Sequence, residues 1–258
     1  MSLIEAKKEE NVLVLTLNRP DKFNSFNREM ALELIDHLNK SNSDKSIRAV
    51  LLTGTGKAFC AGQDLSEAID KNGPGIEKIV TEHYNPIILG IRELQKPVIC
   101  AVNGVAAGAG ANIAIACDVV LAAKSASFIQ AFSKIGLIPD SGGTFFLPKL
   151  IGFGKASALM MLGDKVTADE AESMGMIYKS VSDDKLNEEA SKIAQTLANM
   201  PTKGLWLTKK LLNEGTTNNL STQLNREKEE QINAAASYDY NEGVNAFLEK
   251  RKPVFKGE

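Results

Sequence analysis

Three runs of small residues each carry a group able to do chemistry. They are Phe59-Cys60-Ala61-Gly62-Gln63-Asp64-Leu65, Asn103-Gly104-Val105-Ala106-Ala107-Gly108-Ala109-Gly110-Ala111-Asn112 and Gly136-Leu137-Ile138-Pro139-Asp140-Ser141-Gly142-Gly143-Thr144. Alanine and glycine let the backbone approach a ligand closely and leave N–H groups free to donate. The second run leads into a helix expected to begin near Ala109, and a helix start offers unpaired donors suited to an anion or an oxyanion. The third sets one carboxylate, Asp140, in an apolar, glycine-rich turn, where burial raises its pKa and fits it to act as a base. Each feature also has a plainer reading: close helix-on-sheet packing for the Ala/Gly runs, a helix N-cap for Asp140 with Ser141 competing, and interior packing for Asn112.

Other chemistries lack their obligatory residues. The chain has two histidines, His37 on an amphipathic stretch and His83 in a polar one, and no G-x-S-x-G elbow, which leaves a Ser-His-Asp hydrolase little support. Gly54-Thr55-Gly56-Lys57-Ala58 looks like the tail of a phosphate-binding loop, but Leu51 replaces the first glycine and Ala58 the hydroxyl residue, so it is read as a turn. Gly108-Ala109-Gly110 lacks the third glycine of a dinucleotide fingerprint, Ile113 standing there. Cys60, Cys100 and Cys117 form no C-x-x-C pair and are expected as free buried thiols, with no disulfide and no metal site.

The elements that must position these runs alternate. Apolar strands are expected at 11–18, 47–53, 98–102 and 119–122, and the three runs are expected to follow the C-terminal ends of strands, where open α/β sheets collect ligands. An amphipathic helix at 28–40, capped by Asn27, and helices at 86–94 and 110–116 fall between them. Near-continuous apolar strands separated by helices imply a largely parallel sheet buried on both faces, an α/β fold. After about Gly154 the pattern becomes mostly helical, at 155–162, 168–174, 187–198 and 220–236, with Arg226 and Glu230 read as an i,i+4 pair on a solvated face. Trp206, Phe128 and Phe132 are expected in the core.

At 258 residues, 43% hydrophobic and 24% charged, the chain has the composition of a folded protein of one or two domains. A formal net charge of −2 gives no basic field for nucleic acid, and no run approaches a membrane span or a signal-peptide core, so a cytoplasmic protein is expected.

Taken together, the three runs, with Thr16-Leu17-Asn18-Arg19-Pro20, Lys96-Pro97-Val98 to Gly104 and Glu242-Gly243 to Arg251, resemble the crotonase (enoyl-CoA hydratase/isomerase) superfamily along nearly the whole chain. The resemblance implies a spiral of ββα units over 1–195, a helical oligomerisation region over 196–258, and a homotrimer or dimer of trimers. It implies an acyl-CoA thioester as substrate, coenzyme A being part of that substrate and no cofactor being needed. The backbone N–H groups of Gln63 and Ala109 would form the oxyanion hole, and Asp140 stands where isomerases of the family place their single acid and base. The two glutamates of the family's hydratases are replaced by Asn112 and Phe132, so isomerisation is expected over hydration, on a ring-epoxide phenylacetyl-CoA or a 3-enoyl-CoA, in phenylacetate or fatty-acid catabolism. Asn112 would bond Asp140 or the acyl group. Phe132, Gly108 and Pro139 would line the acyl site, and CoA would lie along Lys22, Phe23, Ala61, Asp64 and Leu65, closed by Phe255. The alternatives are an enoyl-CoA hydratase, a decarboxylase, hydrolase or dehalogenase on the same fold, and a non-enzymatic RNA-binding or scaffold protein.

Overall fold

A computed structural model describes residues 2–258. The chain begins with a hairpin, β1 (Ile4–Glu9) and β2 (Val12–Leu17), then helix α1 (Arg28–Ser43), whose N-cap Asn27 accepts from Met30 N at 3.0 Å. Three strand pairs follow. β3 (Ala49–Gly54) and β4 (Ala58–Cys60) lead to the single turns α2 (Leu65–Ala68) and α3 (Gly75–Lys78), a π-helical stretch at Ile79–Tyr84, and α4 (Asn85–Glu93). β5 (Val98–Val102) and β6 (Val105–Ala107) lead to α5 (Ala109–Ile115). β7 (Val119–Ala123) and β8 (Ser127–Ile129) lead to a 3-10 turn at Ala131–Ile135, then α6 (Gly143–Ile151) and α7 (Phe153–Leu162). β9 (Lys165–Thr167), α8 (Ala168–Ser173), β10 (Lys179–Val181), α9 (Leu186–Ala198), α10 (Thr202–Gly215), α11 (Leu220–Ala235) and α12 (Tyr238–Leu248) complete it.

The first strand of each pair enters one sheet and the second enters another. One sheet has the order β1-β2-β3-β5-β7-β10, parallel except for the β1–β2 hairpin. The other has the order β4-β6-β8-β9, antiparallel only at β8–β9. Repetition of strand, sharp corner, strand and helix is the expected spiral of ββα units. Every residue of β5 is buried, as the continuous apolar run requires of a strand covered on both faces. No helix among the described residues is long and apolar enough to cross a membrane.

Several expectations are corrected. β1 was not anticipated, because only Ile4 of its six residues is buried and the strand shows no alternation. The run around Asp140 follows the 3-10 turn, not a strand. Residue 195, the expected domain boundary, falls inside α9, whose Ala190, Ala194 and Ala198 are buried against the large sheet. Trp206 is only half-buried. Glu230 is not solvated: it is 7% exposed and holds Arg226 at 3.0 Å and Lys210 at 2.7 Å. His83, read only as part of a polar stretch, is fully buried, its Nε2 3.1 Å from Arg28 Nη1.

Candidate active site

The three runs meet at one cavity of about 570 Å³. Where β4 ends, Ala61 N donates to Phe23 O at 3.0 Å, Phe26 N donates to Gly62 O at 2.7 Å, and Asp64 N donates to Phe26 O at 2.8 Å. The N–H of Gln63 lies between these anchors and donates to no acceptor among the described residues. Its side chain is fixed separately, the amide donating to Glu67 Oε2 at 3.0 Å and accepting from the Tyr84 hydroxyl at 3.0 Å.

The second run turns at Gly108, whose φ of 54° is natural for glycine and whose N–H donates to Ile129 O at 2.9 Å. Ala109 opens α5, so its N–H is one of the first-turn donors without an intrahelical acceptor. A Cβ built on Gly62 would lie 3.5 Å from Ala109 N, so the two donor loops touch. Gly110 lets α5 reach β4: a Cβ there would overlap the Cys60 carbonyl and sit 2.8 Å from its Sγ.

The third run folds through two consecutive left-handed residues, Ser141 (φ 51°) and Gly142 (φ 72°), before α6. The N-cap of α6 is Gly142, so neither Asp140 nor Ser141 is the cap. Ser141 Oγ donates to Asp140 Oδ1 at 2.8 Å. Burial raises the Asp140 carboxyl above its ordinary pKa, and the Ser141 bond opposes that rise. Asp140 is the single carboxylate among the described cavity-lining residues, which are otherwise mostly apolar and include no Lys, Arg or His.

Ala61, Gln63, Leu65, Gly108, Ala109, Phe132, Pro139 and Asp140 thus come together as expected. Others do not. Asn112 is fully buried and lies outside the lining, and the bond to Asp140 expected of it is made to the backbone: its Nδ2 donates at 2.8 Å to the main-chain carbonyl of Asp140. Asp64 is committed elsewhere, capping α2 through Ser66 N at 3.0 Å and pairing with Arg19 at 2.9 Å. Lys22 borders a separate hollow, and Phe23, though exposed, stands outside the cavity lining. Phe255 packs near Gly243 in a third hollow, its carbonyl accepting from Arg48 at 2.7 Å, so within one chain it does not close this cavity. Sequence reasoning missed Tyr84, Asn85 and an apolar wall of Ile76, Ile79 and Val80, which faces Leu137 and Ile138 of the third run. The π-helical turn that aims Tyr84 inward has no sequence spacing of its own.

The chain matches the enoyl-CoA hydratase/isomerase family over residues 7–258. It belongs to that family. This crotonase is 48% identical to the 1,2-epoxyphenylacetyl-CoA isomerase of Escherichia coli over 261 residues, spanning 100% of both chains. It is 42% identical to a "probable enoyl-CoA hydratase" of Rhodobacter capsulatus, across 96% of this chain and 95% of the relative. The crystal structure of an enoyl-CoA hydratase from Bacillus anthracis superposes with a TM-score of 0.93 at 36% identity, covering 99% of this chain and 100% of that one. The chain therefore has the crotonase fold and is an enzyme of the hydratase/isomerase family, and its relatives include both isomerases and hydratases.

Proposed function

We propose that this crotonase moves a proton within an acyl-CoA thioester through an enolate, with Asp140 as proton carrier and the N–H groups of Gln63 and Ala109 as the oxyanion hole. The observation that carries this reading is a lone carboxylate in a mostly apolar cavity that also holds two adjacent unpaired main-chain donors. The free Asp140 oxygen takes a proton from the carbon next to the thioester carbonyl. The electron pair moves onto the carbonyl oxygen, which the two donors hold. Asp140 then returns the proton further along the conjugated system. The shift is redox-neutral and coenzyme A enters as part of the thioester substrate, so the proposed reaction draws on no separate cofactor. Each preorganised donor lowers the barrier by about 2.7–4 kcal/mol.

Hydration needs groups that orient water and exchange protons at two carbons. Here the hydratase positions hold Asn112, outside the cavity, and the apolar Phe132. The likeness to the Escherichia coli isomerase supports a ring-epoxide phenylacetyl-CoA as substrate, the enolate then accompanying ring expansion to an oxepin thioester. A 3-enoyl-CoA is the simpler substrate for the same proton shift. Conversion of 3-enoyl-CoA to its conjugated 2-enoyl isomer, run beside hydration of 2-enoyl-CoA, is the test. Fast isomerisation with negligible hydration supports the reading, and efficient hydration that survives Asp140→Asn overturns it. Leu220, Leu224, Ile232, Val244, Phe247 and Leu248 are exposed on α11 and α12, which supports assembly through these helices into trimers, measurable by sedimentation.

A further inference from the structure

We infer that Asn112 and Gln130 are positioning residues that fix the Asp140 turn to the helix carrying the second oxyanion donor. Asn112 stands three residues after Ala109 on α5. Its Nδ2 donates to Asp140 O at 2.8 Å, and its Oδ1 accepts from Gln130 Nε2 at 2.8 Å. Asp140 O also accepts from Gly143 N at 2.9 Å, so this carbonyl takes one bond from its own turn and one from α5. An amide oxygen only accepts and an amide nitrogen only donates, so a flipped Asn112 would set its oxygen against Asp140 O and its nitrogen against Gln130 Nε2, and this pair of partners fixes the orientation in which Asn112 donates to Asp140. Both side chains are buried, and Gln130 Oε1 has no hydrogen-bond partner among the described residues, so the bond to Asn112 Oδ1 is the side chain's polar contact there. Gly143 completes the fit: a Cβ there would overlap the Asn112 amide. Base and donor are thereby set at a fixed separation by side chains that never touch the substrate. Misplacement of a reacting group by about 1 Å costs on the order of a hundredfold in rate.

The inference rests on Asp140 as the proton carrier, and the experiment separates the two. Asn112→Ala, Gln130→Met and Asp140→Asn are each assayed for 3-enoyl-CoA isomerisation, together with the Asn112→Ala/Asp140→Asn double variant, after thermal melts establish folding. The expected result is a kcat lowered about 10- to 100-fold by Asn112→Ala and by less in Gln130→Met, with KM within about twofold in both. In the Asp140→Asn background, Asn112→Ala is expected to produce no further loss, because the group it positions is gone. Unchanged kcat in folded Asn112→Ala, or an equal loss in both backgrounds, overturns the positioning role. Full activity of Asp140→Asn instead overturns the reading beneath it. If Asn112→Ala does not fold, Gln130→Met, which keeps the side-chain length and loses the amide, decides alone: a lower kcat at constant KM supports the inference, and an unchanged kcat refutes it.

Discussion

The Ser141 hydroxyl donates to Asp140 Oδ1 at 2.8 Å, and no other side chain among the described residues hydrogen-bonds the carboxylate. One oxygen is thus held and the other is free to take a proton. Ser141 lies at φ 51°, so Ser141→Gly removes the hydroxyl without straining the turn. The hydroxyl bond lowers the Asp140 pKa, and its loss raises it further. The acid limb of the kcat–pH profile is expected to move to higher pH, with a similar plateau at alkaline pH. A profile that stays in place refutes the link.

Asp140→Asn is expected to lower kcat by about 10²–10⁴, the usual contribution of a positioned general base, with little change in KM. The same substitution should raise the melting temperature at neutral pH. The folded-state pKa of Asp140 lies above its ordinary value, so its ionisation costs stability as the pH rises through that folded value, and both states are protonated below the unfolded one. Asparagine carries no such cost. The gap in melting temperature between variant and parent should therefore close as the pH falls into the carboxylate range, which scanning calorimetry can follow.

Gly110→Ala would force a methyl group against Cys60, where α5 meets β4. Overpacking of this kind costs about 1–3 kcal/mol. The strain falls between the two donor loops, so kcat should drop as well as the urea midpoint. A variant with lower stability and full kcat would show that the loops move together.

Lys209 on α10 is 5% exposed and donates to Ile91 O at 2.6 Å, Lys96 O at 3.2 Å and Asp118 at 2.8 Å, while Arg92 holds the other Asp118 oxygen at 2.9 Å. Lys209→Met removes one partner of a buried pair and leaves two carbonyls without their donor, which should cost about 3–5 kcal/mol in urea unfolding. The cavity does not include it, so the kcat of the folded fraction should be unchanged.

All three cysteines are buried, and burial pushes the Cys60 thiol up to about 12. A thiol reagent at pH 8 is expected to label none in the native protein and three in denaturant. Rapid native labelling of one thiol would show that its surroundings open.

The strands at the centre of the large sheet were legible because burial on both faces leaves unbroken apolar runs; β5 occupies the expected residues. The Asn27 cap was legible because capping is local. What the sequence hides is nonlocal. α12 reverses the usual pattern: Asp239 and Glu242 are buried, accepting from Lys256 N, Gly257 N and Val254 N, while Phe247 and Leu248 are exposed. The buried Lys209 disguises α10 in the same way. β6, β8, β9 and β10 have three residues each, too few to show a period. In the site, small-residue runs signalled the donors and an isolated carboxylate signalled Asp140. The partner of Asn112, 28 residues away, was beyond any local signal.

The two donors proposed for the thioester oxygen belong to the main chain, at Gln63 and Ala109. A library randomised at cavity side chains would therefore vary what becomes of the enolate while leaving the device that forms it in place. If those donors activate the thioester as proposed, directed evolution from this scaffold would have to select only for the fate of the intermediate.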